Sequence, residues 1–147
     1  MADPLSICAS AIAVATLAYD GVKTLHDLIT GIRDAPKTIQ EISVDLGEIL
    51  KILSFFQEEL ARAKGQKLSR ELEACLTQVQ PAMEACRDTC DAFRSKMAAV
   101  TSHSSPTHTS FRDRLKLLLQ DADIASFKHK LGSYKSTLNI AISFTAM

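Results

Sequence analysis

Apolar residues recur along most of this chain in steps of three and four, the period of a helix with one buried face. Nowhere do they alternate as in a half-buried strand. The first stretch departs from the amphipathic pattern because it is uncharged. Between Asp3 and Asp20 only Ser6, Ser10 and Thr16 interrupt a run of apolar and small side chains. Asp3 is placed to cap and Pro4 suits a first helical position, so a helix is predicted from Pro4 to about Ile32. It is expected to bend near Gly21, where an amphipathic half begins with Val22, Leu25, Leu28, Ile29 and Ile32. A helix apolar nearly all round belongs either at the centre of a bundle or against a membrane. The run from Pro4 to Tyr19 reaches only about 24 Å, against a hydrocarbon core of roughly 30 Å. That is too short for a comfortable transmembrane span. A secretory signal would need a basic leader, yet the first basic residue is Lys23.

Asp34-Ala35-Pro36 opens a second helix whose seam is Ile39, Ile42, Leu46, Ile49, Leu53, Phe56 and Leu60. That unbroken 3-4 spacing is the seam of a helix packed at a shallow angle in a bundle. Lys64-Gly65 ends it, with Gly65 a candidate C-cap. A third helix, capped near Gln66–Ser69, turns Leu68, Leu72, Cys75, Val79, Cys86, Cys90, Phe93, Met97 and Val100 inward, and Pro81 should kink it. Residues 101–110 (TSHSSPTHTS) read as a polar loop. Phe111–Leu119 makes a short basic-apolar helix, and Asp121-Ala122-Asp123 caps the last one. Its stripe is Ile124, Phe127, Leu131, Tyr134, Leu138, Ala141 and Thr145, with Ile140, Ile142 and Phe144 widening the apolar face. The expectation is an all-α bundle of four main helices plus one short helix, a single domain over 1–147.

A chain of 147 residues is long enough to bury a real core. Its 17 basic and 17 acidic side chains balance, which removes any general case for nucleic acid. The charge is uneven, however. Asp3, Asp20, Asp27 and Asp34 against Lys23 and Arg33 leave residues 1–35 at −2. Residues 109–147 stand at +3, with Arg112, Arg114, Lys116, Lys128, Lys130 and Lys135 against Asp113, Asp121 and Asp123. Solvated helix faces explain this pattern, and contact with anionic lipid is the sharper alternative.

Candidate chemistry is sparse. There is no Gly-rich phosphate loop, nucleophile elbow or His-Glu-x-x-His helix, so no catalytic residue, cofactor or metal is expected. Glu58 and Glu59 are adjacent and point to different parts of a helix surface. His103 and His108 read as exposed loop residues, and His26 and His129 as exposed or partly buried positions on amphipathic helices. Cys75, Cys86 and Cys90 fall on one helical stripe and Cys8 on another, which suits reduced, buried thiols of a cytosolic protein. Cys86 and Cys90 sit one turn apart, a poor spacing for a disulfide.

Three segments carry a resemblance. The opening Met1-Ala2-Asp3-Pro4-Leu5-Ser6-Ile7, the helix junction Ile32-Arg33-Asp34-Ala35-Pro36 followed by Asp45-Leu46, and the closing Tyr134-Lys135-Ser136-Thr137-Leu138 occur in this order. They resemble fungal N-terminal domains of STAND (NOD-like) proteins, in the HeLo-like group. One departure is Leu117, where that pattern often carries an aromatic after Arg114-Leu115-Lys116; it touches packing rather than function. The resemblance implies a HeLo-like helical bundle acting in regulated cell death, through self-association, exposure of the N-terminal helix and permeabilisation of the plasma membrane. In such relatives a nucleotide-binding module or an amyloid-signalling motif follows on the same chain, and neither lies within these residues. On this reading Leu5, Ile7, Ile12, Val14 and Leu17 insert into lipid, while Arg112, Arg114, Lys116, Lys128 and Lys130 meet anionic headgroups. The protein would move from the cytoplasm to the plasma membrane on activation. The alternative is a soluble homotypic adaptor whose first helix never leaves the core, because an apolar helix serves both roles.

Overall fold

Helix starts follow the local chemistry of the chain. The computed structural model describes residues 4–32, 35–63, 69–102 and 119–145. Among them the chain forms four helices and no strand: α1 (Pro4–Thr30), α2 (Lys37–Ala63), α3 (Arg70–Ser102) and α4 (Asp121–Thr145). Ser69 caps α3, its Oγ accepting the Leu72 N–H at 3.1 Å and its carbonyl the Glu73 N–H at 3.0 Å. The cap of α4 lies one residue earlier than the sequence suggests. Gln120 supplies the first accepting carbonyl, and the Asp123 carboxylate accepts the Gln120 N–H at 3.4 Å, half of a capping box. Pro36 opens α2 by accepting from the Gln40 N–H at 3.0 Å, and the Gln40 side chain donates to the Ala35 carbonyl.

Several boundaries differ from expectation. Helix α1 ends at Thr30, not Ile32, and α3 continues through Thr101 and Ser102 into the stretch read as loop. The rest of that loop, residues 103–110, and residues 111–118 of the short helix lie outside the described residues. Gly21 interrupts nothing. It marks a close approach instead, since a Cβ there would come within 3.3 Å of both Arg87 Cγ and Asp91 Oδ1 on α3. Helix α3 likewise runs on past Pro81. That residue is exposed, so the carbonyl deprived of its donor sits on the solvent side of the helix.

Helix α1 packs on α2 and α3, and α4 packs on the same two. The four therefore stand at the corners of a square in the order α1, α2, α4, α3, and consecutive α2 and α3 occupy opposite corners. Side-chain pairs set their directions. The Cys8 thiol donates to the Leu60 carbonyl and Gln57 to Thr16, so α1 and α2 are antiparallel. Ser10 donates to Gln80, making α1 and α3 parallel. Lys128 pairs with Glu41 and Lys135 with Glu48, making α2 and α4 parallel. Cys75 bonds to Ala141 across the antiparallel α3–α4 pair, where Phe93 and Phe127 stack with centroids 4.0 Å apart.

The α2 seam is buried throughout as its periodicity predicts, from Ile39 to Leu60. On α3 the inward stripe is Leu76, Val79, Met83, Cys86, Cys90, Phe93, Met97 and Val100. Leu76 thus takes the place expected of Cys75, which is only half-buried, and Met83 bridges the gap left around Pro81. On α4, Ile124, Phe127, Leu131, Leu138 and Ala141 are buried, and Tyr134 is half-buried with its hydroxyl 2.9 Å from Thr89 Oγ1. Ile140 does not widen that face, being 62 % exposed.

Candidate functional site

Residues of α1 face inward in the same 3-4 rhythm as the other helices, but size divides them in two. Cys8, Ala11, Ala15 and Ala18 form the buried stripe of the first half, and Val22, Leu25 and Ile29 that of the second. Small side chains let the first half lie close on α2 and α3. They also leave its larger apolar residues off the core. Ile7, Ile12 and Val14 are half-buried on the flanks, and Leu17 is 50 % exposed. Leu5 lies in the first turn of α1, with its side chain outside the described part. This corrects the picture of a central helix buried on every side: α1 stands at a corner, and one apolar face meets solvent.

That outward face consists of Ala9, Ser10, Ala13, Thr16 and Leu17, with no charge before Asp20. Its few hydroxyls are engaged within the bundle. Thr16 donates to the Ile12 carbonyl at 2.9 Å and accepts from Gln57 at 3.1 Å, while Ser10 donates to Gln80 at 3.3 Å. The surface is therefore more apolar than its composition suggests. A helix outer face in water ordinarily carries charge, as α2 does with Glu48, Lys51 and Glu58.

The basic residues do not gather into one patch among the described residues. Arg112, Arg114 and Lys116 lie outside them. Lys128 is not free for a headgroup but is paired with Glu41 of α2, whose carboxyl it holds below the usual range through their hydrogen bond. Lys135 bridges Glu48 at 2.5 Å and Asp45 at 3.4 Å, and the Glu48 hydrogen bond raises its ammonium above the ordinary value. Lys130 is exposed, beside Lys96 and Asp123 on the α3–α4 surface above Phe93 and Phe127.

A second apolar surface lies between α3 and α4 at the end of the bundle where α1 begins. It is a groove of about 340 Å³ lined by Glu71, Ala74, Cys75, Gln78, Val79, Thr137, Ile140 and Ala141. The Cys75 S–H donates to the Ala141 carbonyl at 3.7 Å, and burial pushes this thiol up. All four cysteines are free, and the Cys90 thiol is raised by its hydrogen bond with Cys86 and by burial. At Cys75 and Cys90 these effects disfavour the thiolate that a nucleophile would need. Among the described residues no three His, Cys, Asp or Glu side chains converge as metal ligands would, and no helix is long and apolar enough to cross a membrane.

The outward face of α1 and the α3–α4 groove escaped the sequence reading. The first was legible in principle. Stepping the 3-4 pattern back from Ile29, Leu25 and Val22 leads to Ala18, Ala15, Ala11 and Cys8, which turns Ala13 and Leu17 outward. The groove joins residues 66 positions apart in Cys75 and Ala141, and nothing local announces it.

Comparison with known proteins places one description on the chain. A family model for the N-terminal region of the pigment biosynthesis cluster protein PigL matches residues 2–147. No curated protein and no solved structure matches it.

Proposed function

Because the chain belongs to the family of PigL N-terminal domains, a fungal HeLo-like family, we propose that it is a non-enzymatic signalling domain that self-associates and permeabilises membranes through the first half of α1. The observation that carries this reading is the uncharged outward face from Ala9 to Leu17, which the bundle does not need for its own core. Such a face enters the boundary between headgroups and acyl chains without unfolding, and a helix in that plane sinks about 5–10 Å. Deeper insertion requires more. The apolar run of α1 is too short to span alone, and the helix is too polar beyond Asp20 to extend it, so several copies or local thinning must accompany it. Its first half is also the more easily released, being anchored by cysteine and alanine. Val22, Leu25 and Ile29 each contribute about 1.5–3 kcal/mol on burial. The site of action in this scheme is the cytoplasmic leaflet of the plasma membrane, reached on activation.

Dye leakage from anionic vesicles tests the proposal with Ala13→Glu and Leu17→Glu. Both positions face outward, so both variants should keep the fold while leakage falls at least about tenfold, because a charge now has to enter the acyl region. Leakage equal to that of the unmodified domain would sink the membrane role. Association that these substitutions abolish, in a protein that never permeabilises vesicles, would instead leave the soluble homotypic adaptor.

A further inference from the structure

Position 21 divides α1 into halves that are held differently. Beyond it, Val22, Leu25 and Ile29 fix the helix in the core by their bulk. Before it the buried stripe is small, and side-chain hydrogen bonds tie the helix to both neighbours. Cys8 donates to the Leu60 carbonyl and Gln57 to Thr16 on the α2 side, while Ser10 donates to Gln80 on the α3 side. The bonds to Gln57 and Gln80 are exposed, so water can replace either partner. Gly21 itself anchors nothing. A Cβ there would come within 3.3 Å of Arg87 Cγ and Asp91 Oδ1, atoms of an ion pair whose side chains are 41 % and 40 % exposed. Such flexible groups can move by the few tenths of an ångström that an alanine would need, so packing does not demand a glycine. What glycine supplies in mid-helix is a backbone that leaves the helical state more readily than alanine, by about fivefold at a single position.

We infer that Gly21 is a joint: residues 4–20 swing off α2 and α3 as one unit while residues 22–30 stay packed, and Gln57 and Gln80 are the catches that hold the unit closed. This deepens the release step of the reading above and rests on that reading for its purpose, although the opening itself needs no membrane. Sub-global openings of this kind occur where few large side chains and exposed polar contacts hold an element. A break at position 21 leaves Val22, Leu25 and Ile29 in place, with the Lys23–Asp27 pair at 3.1 Å beside them. It also spares the α2–α4 contact with its Lys128 and Lys135 bridges, and the Phe93–Phe127 stack between α3 and α4. What it uncovers is the surface of α2 around Leu60 and of α3 around Gln80. That exposure keeps the open form a minor one in water. A lipid surface that takes up the freed apolar side chains of α1 binds the open form better and raises its population. The two glutamines therefore set the threshold for release.

Native-state hydrogen exchange of the whole domain, without vesicles, tests the joint. The first four amides of a helix have no intrahelical acceptor, so the comparison starts at Cys8. Residues 8–20 should share one protection level, at least about tenfold below that of residues 22–29, with the step at Gly21. Gln57→Ala and Gln80→Ala should each lower the protection of residues 8–20 by roughly two- to tenfold. Ile39→Val, in the core at the far end of α2, should lower residues 22–29 by a similar factor and leave residues 8–20 unchanged. Gly21→Ala is compared with Gly21 in an Arg87→Ala, Asp91→Ala background, where its methyl group meets neither side chain. It should raise the protection of residues 8–20 by about fivefold, because position 21 is helical only in the closed form. A single protection level from 8 to 29, a smooth gradient of fraying, or indifference of residues 8–20 to Gln57→Ala, Gln80→Ala and Gly21→Ala would each overturn the inference. Leakage is read separately on the same variants. A joint found in a domain that never leaks supports this inference and removes the membrane role, whereas leakage without a joint does the reverse.

Discussion

The rotational setting of α1 decides whether the first half of this helix is core or surface, and one pair of substitutions measures it. Positions 15 and 17 are separated by about 200° around a helix, so they cannot both face inward. Ala15 is fully buried between α2 and α3, while Leu17 is half exposed. Ala15→Leu forces a branched side chain into a site closed by the close packing of the Cys8–Ala18 stripe. Overpacking of this kind costs about 1–3 kcal/mol, and more where the backbone cannot yield. Leu17→Glu replaces an outward apolar group and should stay within about 0.5 kcal/mol. For a domain of this size a loss of 1–3 kcal/mol lowers the melting temperature by about 2–12 °C. Thermal and urea melts of the two variants, run beside the unmodified protein, give both numbers. If Leu17→Glu unfolds the domain while Ala15→Leu is tolerated, α1 is turned the other way. The outward face, and the membrane role argued from it, would then be lost.

Three further outcomes follow from the core, the caps and the ion pairs. Leu53→Ala, in the wholly buried α2 seam, should cost about 2–5 kcal/mol in urea, and a loss below about 1 kcal/mol would mean the seam is not closed. Ser69→Ala removes the hydroxyl that accepts the Leu72 N–H and should cost about 1 kcal/mol, whereas Ser133→Ala on the exposed face of α4 should be neutral; equal effects would deny the cap. Glu41 is held below its ordinary value of 4.5 by Lys128, so the unfolded chain takes up its proton first as the pH falls. Whatever stability the pair contributes is complete above that value and disappears as the pH drops through the folded one. Melts against pH should therefore separate the unmodified protein from Glu41→Gln at neutral pH, converge in acid, and converge in high salt at any pH. A gap that persists in acid would place the effect elsewhere.

Sequence periodicity alone determined the helical class, the α2 seam and most inward residues of α4. Large apolar side chains at 3-4 spacing can be buried together only on a helix, and that constraint is local. Caps were legible to within a residue for the same reason, since Ser69 and Asp123 act on backbone groups of their own turn. Helix α1 was not, because its inward residues are the small ones. Alanine is compatible with either side of a helix, so the first half of α1 does not announce its buried face by itself; the phase carried back from Val22, Leu25 and Ile29 points to it, and the closeness of α2 and α3 fixes it. Cys75 and Leu76 show the same dependence, as adjacent apolar positions whose order is set by how α3 meets α4. Partners distant in sequence were beyond any local pattern. Lys128 read as a free cation until α2 brought Glu41 to it, and Ile140 as core until the square arrangement left it facing out. Local chemistry decides where a helix begins and that it has a buried side, but the contacts of four helices decide which side that is.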